Sequence, residues 1–357
     1  MEHAKAIFSA VGLMSGSSLD GLDLAAVDFW QENGRWFYVI KKTAFYPYAE
    51  NWQQKLQQAF YLDSPKLTDL DLEYGSYLGE LTRDFIKKNN LKPALVASHG
   101  HTIFHQPENG ITLQIGHGQA IADACKCFVI NDFRSEDVSK GGQGAPLVPI
   151  GDKLLFADYP ICLNIGGIAN ISFEENEDRL AFDCCMANQG LNFIAGFAGL
   201  PYDENGKMAV GGKIIPELFE ALNAEDYFKK PSPKSLGREF FESHQRELLL
   251  QWQHNPADAA HTYACHIAFQ IAQSVAHLPK TKILVTGGGT FHKLLIAKLK
   301  HFSKHQIEVG SEQLINYKEA LIFAFLGVLK QQGKTNIFGT YTGALSDSSS
   351  GVCWYPE

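Results

Sequence analysis

The chain lacks any apolar run approaching the ~18 residues that a membrane-spanning helix requires. Its first residues, MEHAKAIFSAVG, have neither the basic region nor the long apolar segment of an export signal. Seven cysteines form an odd set without C-x-x-C spacing, which argues against a disulfide framework or a zinc knuckle. We therefore expect a soluble protein of a reducing compartment, the cytoplasm, without a membrane partner.

The chain also lacks an excess of positive charge. Its net charge is -8, with a pI near 5.9, which argues against a nucleic-acid partner, because such proteins present a basic face. With 357 residues, 45% of them hydrophobic, it has material for more than one core. We expect two domains that hold any anionic ligand locally.

Strand and helix patterns alternate along the chain, with glycine-rich turns after several strands. A strand, Gly/Ser turn and second strand occur at 7–29 and again at 160–173, which suggests a duplicated α/β fold around a cleft. We predict a first domain of residues 1–133 plus about 335–357, and a second domain of residues 134–334.

Three glycine-rich turns follow predicted strands: GLMSGSSLDG, NIGGIAN and VTGGGT. Glycine lets the backbone approach a ligand and expose its N–H groups, and serine adds hydroxyl donors, so such turns can hold phosphate. None matches a P-loop or a dinucleotide fingerprint, and each could be an ordinary turn. Together and in this order they suit an ATPase with two related domains.

Other polar residues leave alternatives open. The histidines of SHGHTIFHQP could bind a metal, but they complete no known ligand pattern, so bonds to a polar ligand are favoured. Arg134 could hold a carboxylate or phosphate, or pair with Asp132 or Asp137. Asp183 could act as a general base at a strand end, or cap the following helix.

These segments together resemble one family, the anhydro-N-acetylmuramic acid kinases of the actin-like ATPase superfamily. The resemblance runs through nearly the whole chain, and it is most specific in MSGSSLDG and in DFRSEDVSKGGQGAPLVP. It implies two actin-like (ribonuclease H-like) domains with mixed sheets and a central cleft. It also implies a homodimer that uses ATP and Mg²⁺ to open the 1,6-anhydro bond of an amino sugar and phosphorylate O6, in peptidoglycan recycling.

The resemblance implies a role for each matching residue. Asp183 is the catalytic base, and Asp20 contacts Mg²⁺ through water or stabilises its turn. The sugar pocket is formed by His101, Thr102, Arg134 and Glu319. The ATP-binding residues are Gly12, Ser15, Gly16, Ser17, Ser18, Asp20, Gly21, Gly166, Gly167, Gly287, Gly288 and Gly289.

Two segments depart from the family pattern. The family commonly has DTGPGN where this chain reads DCCMAN from Asp183 to Asn188, and HGQT where this chain reads HGHT, with His101 in place of glutamine. The first departure leaves two alternatives open: a kinase for a different sugar, or a weakly catalytic sugar or muropeptide sensor.

Overall fold

The computed structural model describes residues 6–16, 18–175, 178–231 and 234–357. The chain forms two compact units. The first unit consists of residues 1–155 with 317–357, and the second unit of residues 156–316.

The strands are β1 (Phe8–Ser15), β2 (Gly21–Glu32), β3 (Arg35–Pro47), β4 (Leu95–Ser98), β5 (His101–Gln106), β6 (Ile111–Ile115), β7 (Val129–Asn131), β8 (Ile161–Ile165), β9 (Ile168–Glu175), β10 (Asp178–Met186), β11 (Lys282–Thr286), β12 (Gln306–Val309) and β13 (Val352–Trp354). The helices are α1 (Glu50–Gln58), α2 (Ser64–Lys88), α3 (Gly118–Cys125), α4 (Ser135–Ser139), α5 (Pro149–Leu154), α6 (Asn188–Gly196), α7 (Lys207–Val210), α8 (Pro216–Asn223), α9 (Arg238–Phe240), α10 (Arg246–Leu250), α11 (Pro256–Ser274), α12 (Lys293–Phe302), α13 (Glu312–Gln331) and α14 (Gly339–Thr342).

The first unit is built on a six-stranded mixed sheet in the order β13-β7-β4-β1-β2-β3. Strands β1, β2 and β3 form an antiparallel meander, whereas β4 and β7 continue the sheet parallel to β1. A separate hairpin pairs β5 with β6. The long helix α2 lies against α3 and fills the core with Leu70, Tyr74, Leu78 and Phe85.

The second unit repeats this plan with a five-stranded sheet in the order β10-β9-β8-β11-β12. Again the first three strands are antiparallel and the last two run parallel to the first. Helix α11 is buried along most of its length, which makes it the central helix of this unit's core. The repeated strand order confirms the predicted duplication of an α/β fold with mixed sheets.

The compact units are bounded differently from the predicted domains. Residues 134–155 and 317–334, which the sequence analysis placed in the second domain, belong to the first unit. They are held there by packing and hydrogen bonding: Gly327 of α13 lies against Ala97 of β4, and the hydroxyl of Thr342 donates to Asp137 of α4. No helix among the described residues is long and apolar enough to cross a membrane.

Gly12 shows how closely α13 approaches the first sheet. A Cβ at this β1 position would overlap the backbone carbonyl of Ala320 and lie 2.8 Å from the nitrogen of Ala324. Since helix backbone cannot rotate away as a side chain can, the packing requires glycine here.

We expect Gly12→Ala to lower the free energy of unfolding by roughly 2–3 kcal/mol, because α13 must shift to admit the methyl group. Urea denaturation followed by circular dichroism measures the change. Gly196→Ala is the matched control, because a Cβ at this end of α6 meets no neighbouring atom. An equal midpoint for Gly12→Ala and the native chain would contradict the proposed close approach.

Candidate active site

The serine-rich turn of the first unit joins β1 to β2. Ser15 ends β1 and Gly21 begins β2, while Ser17 lies outside the described residues. The hydroxyl of Ser18 donates to Oδ1 of Asp20 at 2.6 Å. Among the described residues, Ser18 is the one that a Cβ at Gly16 would meet within 4 Å, so the backbone is accessible there, as a phosphate-binding turn requires.

The structure gives Gly12 and Gly21 a packing role. Like Gly12 against α13, Gly21 approaches the carbonyl of Tyr46 and the ring of Phe45 too closely for any side chain. Their assignment to ATP stays a prediction.

Ser15 connects the serine-rich turn to the predicted sugar residue His101. Its hydroxyl lies 3.0 Å from Nδ1 of His101 and accepts a hydrogen bond of 2.7 Å from Tyr48. Ser15 is only 3% exposed and His101 4%. Burial lowers the pKa of His101 to about 4, so its imidazole is neutral at physiological pH. The Ser15 hydroxyl is thus occupied by protein partners.

His99, which was not among the predicted site residues, holds Arg134. Nη2 of Arg134 lies 2.8 Å from Nε2 of His99, and Nη1 donates to the carbonyl of Gly144. Burial and the adjacent guanidinium lower the pKa of His99 to about 3, which makes it a neutral acceptor. Asp137 instead accepts from the backbone of Gly144 and from Thr342, so it is not the ion-pair partner considered for Arg134.

The remaining predicted sugar residues occupy two elements of the first unit. Thr102 lies in β5 opposite Gln114 of β6. Glu319 lies in α13 and is exposed to solvent; loss of hydration to the surrounding protein atoms raises its pKa, and the positive charges of Lys318 and Arg134 lower it. Burial lowers the pKa of Arg134 to about 10, and the negative charge of Glu319 raises it. The two side chains therefore share one electrostatic environment.

Asp23 of β2 is an acidic residue that the sequence analysis missed. Its pKa is raised to about 7, first by burial and then by the negative charges of Asp20 and Glu319. The signal that could have found it is the spacing Asp20-Gly-Leu-Asp23, which places a second carboxyl group next to the serine-rich turn. The first unit thus brings three acidic groups, Asp20, Asp23 and Glu319, into one electrostatic environment.

That charge suits a magnesium ion. No group of three or more His, Cys, Asp or Glu side chains in the described ranges has the spacing to hold a metal ion, so the histidine metal site is not supported. Mg²⁺, however, commonly takes one or two carboxylates and completes its shell with waters and substrate phosphates. The donor chemistry of Asp20 and Asp23 fits that requirement.

Two glycine turns meet at one edge of the second sheet. Because β8 and β11 are parallel neighbours, NIGGIAN and VTGGGT follow them at the same end. Gly287 has a φ of 86° and passes so close to the carbonyl of Ile165 that only glycine fits. Gly288 lies near the side-chain amide of Asn188, and Gly289 packs against Ile165. In the described part of the chain, no atom lies within 4 Å of a Cβ built at Gly167. Gly166 accepts from the first backbone N–H of α6.

Asp183 lies within β10, opposite Asn170 of β9 and one residue before a bulge at Cys184. It neither ends the strand nor caps α6, whose N-cap is Ala187 without a side-chain bond. Asn170 in turn pairs with Asn164 of β8, and Asn164 pairs with Thr286 of β11, so the four residues form one row across the sheet. Paired residues share a sheet face, so this polar row, which the sequence analysis missed, runs from Asp183 to the VTGGGT turn.

The segment after residue 233 fixes the Asp183 carboxylate. The backbone N–H of Leu236 donates to Oδ2 at 2.8 Å, and the N–H of Asp183 donates to the carbonyl of Lys234. The hydroxyl of Tyr227 donates to the carbonyl of Asp183 at 2.6 Å. Burial raises the pKa of Asp183 and the Leu236 bond partly lowers it, which gives a carboxylate of increased basicity.

The two cysteines beside Asp183 are packing residues. Both are at most 1% exposed, and burial raises the pKa of Cys184 to about 12 and that of Cys185 well above its usual value. Neither can supply a thiolate at neutral pH. In the DCCMAN segment the cysteines therefore pack around the bulge, and the Asp183 carboxylate accepts from Leu236.

The repeated sheet order defines the class of protein: a duplicated α/β fold with mixed sheets and glycine turns after the strands. The chain belongs to the anhydro-N-acetylmuramic acid kinase family, whose model matches residues 9–356.

Individual relatives agree with this assignment. A protein of Zymomonas mobilis subsp. mobilis is 34% identical over 97% of this chain and 99% of the relative. Another, of Hydrogenovibrio crunogenus, is 31% identical over 97% of this chain and 98% of the relative. Both are named anhydro-N-acetylmuramic acid kinase. Among solved structures, component A of the Acidaminococcus fermentans (R)-2-hydroxyglutaryl-CoA dehydratase is similar over 89% of this chain and 96% of its own. Its sequence identity is 13% and its TM-score 0.44, so this similarity adds nothing to the assignment.

We expect the pKa of Asp23 to fall below about 7 when Glu319 is replaced by glutamine, because removing one negative charge makes the ionised carboxyl easier to form. A ¹³C carboxyl titration of aspartate-labelled protein measures it, with Asp23→Asn identifying the resonance. Glu312→Gln, a similar change in the first turn of α13, is the control that should leave the titration unaltered. An unchanged or higher pKa in Glu319→Gln would contradict the electrostatic account.

Proposed function

We propose that this protein hydrolyses the 1,6-anhydro bond of 1,6-anhydro-N-acetylmuramic acid and phosphorylates O6 with ATP. The product is N-acetylmuramic acid 6-phosphate, an intermediate of peptidoglycan recycling. The observation that carries the proposal is the Asp183 carboxylate, which is bonded through Oδ2 to Leu236 and belongs to the polar row that leads to a glycine turn. Membership of the kinase family supports the choice of sugar.

Asp183 serves as the general base. With Oδ2 held by Leu236, Oδ1 takes a proton from a water molecule whose oxygen attacks the anomeric carbon. The C1–O6 bond breaks, and O6 takes the γ-phosphoryl group as ADP leaves. Ordinary glycoside hydrolysis needs a second carboxylic acid to protonate the leaving oxygen, but here phosphoryl transfer captures that oxygen. One carboxylate therefore suffices.

The glycine turns hold ATP in this proposal. The accessible backbone at Gly16 and the turn at Gly166 and Gly167 bind phosphate oxygens, while Gly287 to Gly289 border adenosine. The Ser18 hydroxyl joins them by exchanging its bond to Asp20 for one to a phosphate oxygen. Asp20, with Asp23 beside it, would hold Mg²⁺ through water. The ion would offset the negative charge of the phosphates.

Arg134 and His101 bind the sugar. The hydrogen-bond partners of Arg134, His99 and the Gly144 carbonyl, are neutral, so its charge remains available for the lactyl carboxylate of the substrate. Thr102 and Glu319 provide further contacts to sugar hydroxyls. A cytoplasmic location, a homodimer and the lack of nucleic-acid and membrane partners stay predictions.

We expect the native protein to release ADP in the presence of Mg²⁺, ATP and the anhydro sugar, and Asp183→Asn to release it about 10²- to 10⁴-fold more slowly, because the general base is lost. A coupled ADP assay measures both rates. Asp226→Asn is the matched control, since this exposed aspartate pairs with Lys229 at the surface and its loss should leave the rate unchanged.

The same assay separates the alternatives. ADP release with another amino sugar, but none with the anhydro sugar, would indicate a kinase for a different sugar and link this sugar specificity to the altered segment Cys184–Ala187. No sugar-dependent release from any member of the panel would favour a sensor.

A further inference from the structure

A buried chain of hydrogen bonds leads to His101. The hydroxyls of Tyr74 and Tyr48 lie 2.6 Å apart, Tyr48 donates to Ser15 at 2.7 Å, and the Ser15 hydroxyl lies 3.0 Å from Nδ1 of His101. None of the four side chains is more than 5% exposed. These hydrogen bonds are therefore shielded from solvent, and the hydroxyl and imidazole hydrogens must be shared among the four side chains.

The direction of these bonds follows from counting hydrogens. Tyr48 has one hydroxyl hydrogen and gives it to Ser15, so Tyr74 is the donor to Tyr48. The Ser15 oxygen then accepts from Tyr48, and its own hydrogen is directed to Nδ1 of His101. The opposite arrangement, with a hydrogen on Nδ1, would direct the buried Ser15 hydrogen to the Tyr74 hydroxyl. That hydroxyl lies near Ser15, but among the described residues the two form no hydrogen bond of normal geometry, so this arrangement is unfavourable.

The other ring nitrogen therefore bears the hydrogen. With Nδ1 as an acceptor, neutral imidazole has its N–H at Nε2. Within the part of the chain that the structure describes, no hydrogen bond forms at this nitrogen. His101 thus presents one N–H donor that is not used by the protein.

We propose that Tyr48, acting through Ser15, is a positioning residue that holds His101 in the Nε2–H tautomer, so that His101 donates a hydrogen bond to an acceptor oxygen of the amino sugar. The donor role rests on the proposed function, whereas the tautomer does not. A glutamine commonly occupies this position in the family, and its side-chain amide is also a donor. The fixed tautomer explains how imidazole can replace it.

The tautomer is tested without substrate, by ¹⁵N NMR of histidine-labelled protein at neutral pH, with His101→Gln identifying the resonance. We expect a protonated Nε2 and an unprotonated Nδ1 in the native chain. In Tyr48→Phe we expect a mixture of tautomers, because Ser15 can then accept from Nδ1–H. Tyr77→Phe is the matched control, since Tyr77 packs beside Tyr48 and Trp52 outside the hydrogen-bonded chain. A native Nδ1–H form, or an unchanged tautomer in Tyr48→Phe, would overturn the proposal.

Steady-state kinetics test the donor role. Loss of one hydrogen bond corresponds to a change of about 3- to 10-fold, so the KM for the sugar should rise by that factor in His101→Leu and remain near native in His101→Gln. Tyr48→Phe should raise the same KM and leave kcat nearly unchanged. If His101→Gln is as impaired as His101→Leu, the donor role is wrong. If the tautomer is as expected but no sugar supports turnover, the proposed function fails while the positioning by Tyr48 stands.

Discussion

The backbone N–H of Leu236 donates to Oδ2 of Asp183, and the proposed chemistry depends on this bond. Burial alone would favour the protonated carboxyl, which cannot act as a base. The bond favours the ionised form, leaves the second oxygen for water and fixes the direction of the group. Because it comes from backbone, the bond does not depend on the identity of residue 236. The bond also involves no atom of Cys184–Ala187, the segment that departs from the family pattern. That departure is therefore compatible with the proposed role of Asp183 as a base.

The first unit uses neutral histidines to organise its polar groups. His99 accepts from Arg134 and His101 bonds to Ser15, and burial keeps both rings uncharged. A protonated ring at either place would lose its acceptor nitrogen and, at His99, repel the guanidinium. Burial also lowers the pKa of Arg134, to about 10, so its guanidinium stays positive at neutral pH while both rings are neutral. The proposed site thus offers one charged and one neutral group to a sugar with a carboxylate and hydroxyls.

Much of the fold was predictable from local patterns. Alternating apolar strands and glycine turns predicted the strand–turn–strand units at 7–29 and 160–173, and their similarity predicted the duplication. Long-range pairing was not predictable. The alignment of Asp183 with Asn164 depends on the register of three strands. The contact between His99 and Arg134 depends on the separate placement of β4 and α4. The roles of Asp23 and Tyr48 likewise come from neighbours that only folding brings together.

The most direct test of the account is to follow the oxygen of the attacking water. The reaction is run with the anhydro sugar, ATP and Mg²⁺ in ¹⁸O-labelled water, and the product is analysed by mass spectrometry with fragmentation before the anomeric oxygen exchanges. Attack assisted by Asp183 predicts one solvent oxygen at C1 and an unlabelled oxygen between C6 and phosphorus. A phosphorylated sugar without solvent oxygen at C1, or with label at O6, would contradict coupled hydrolysis and phosphorylation.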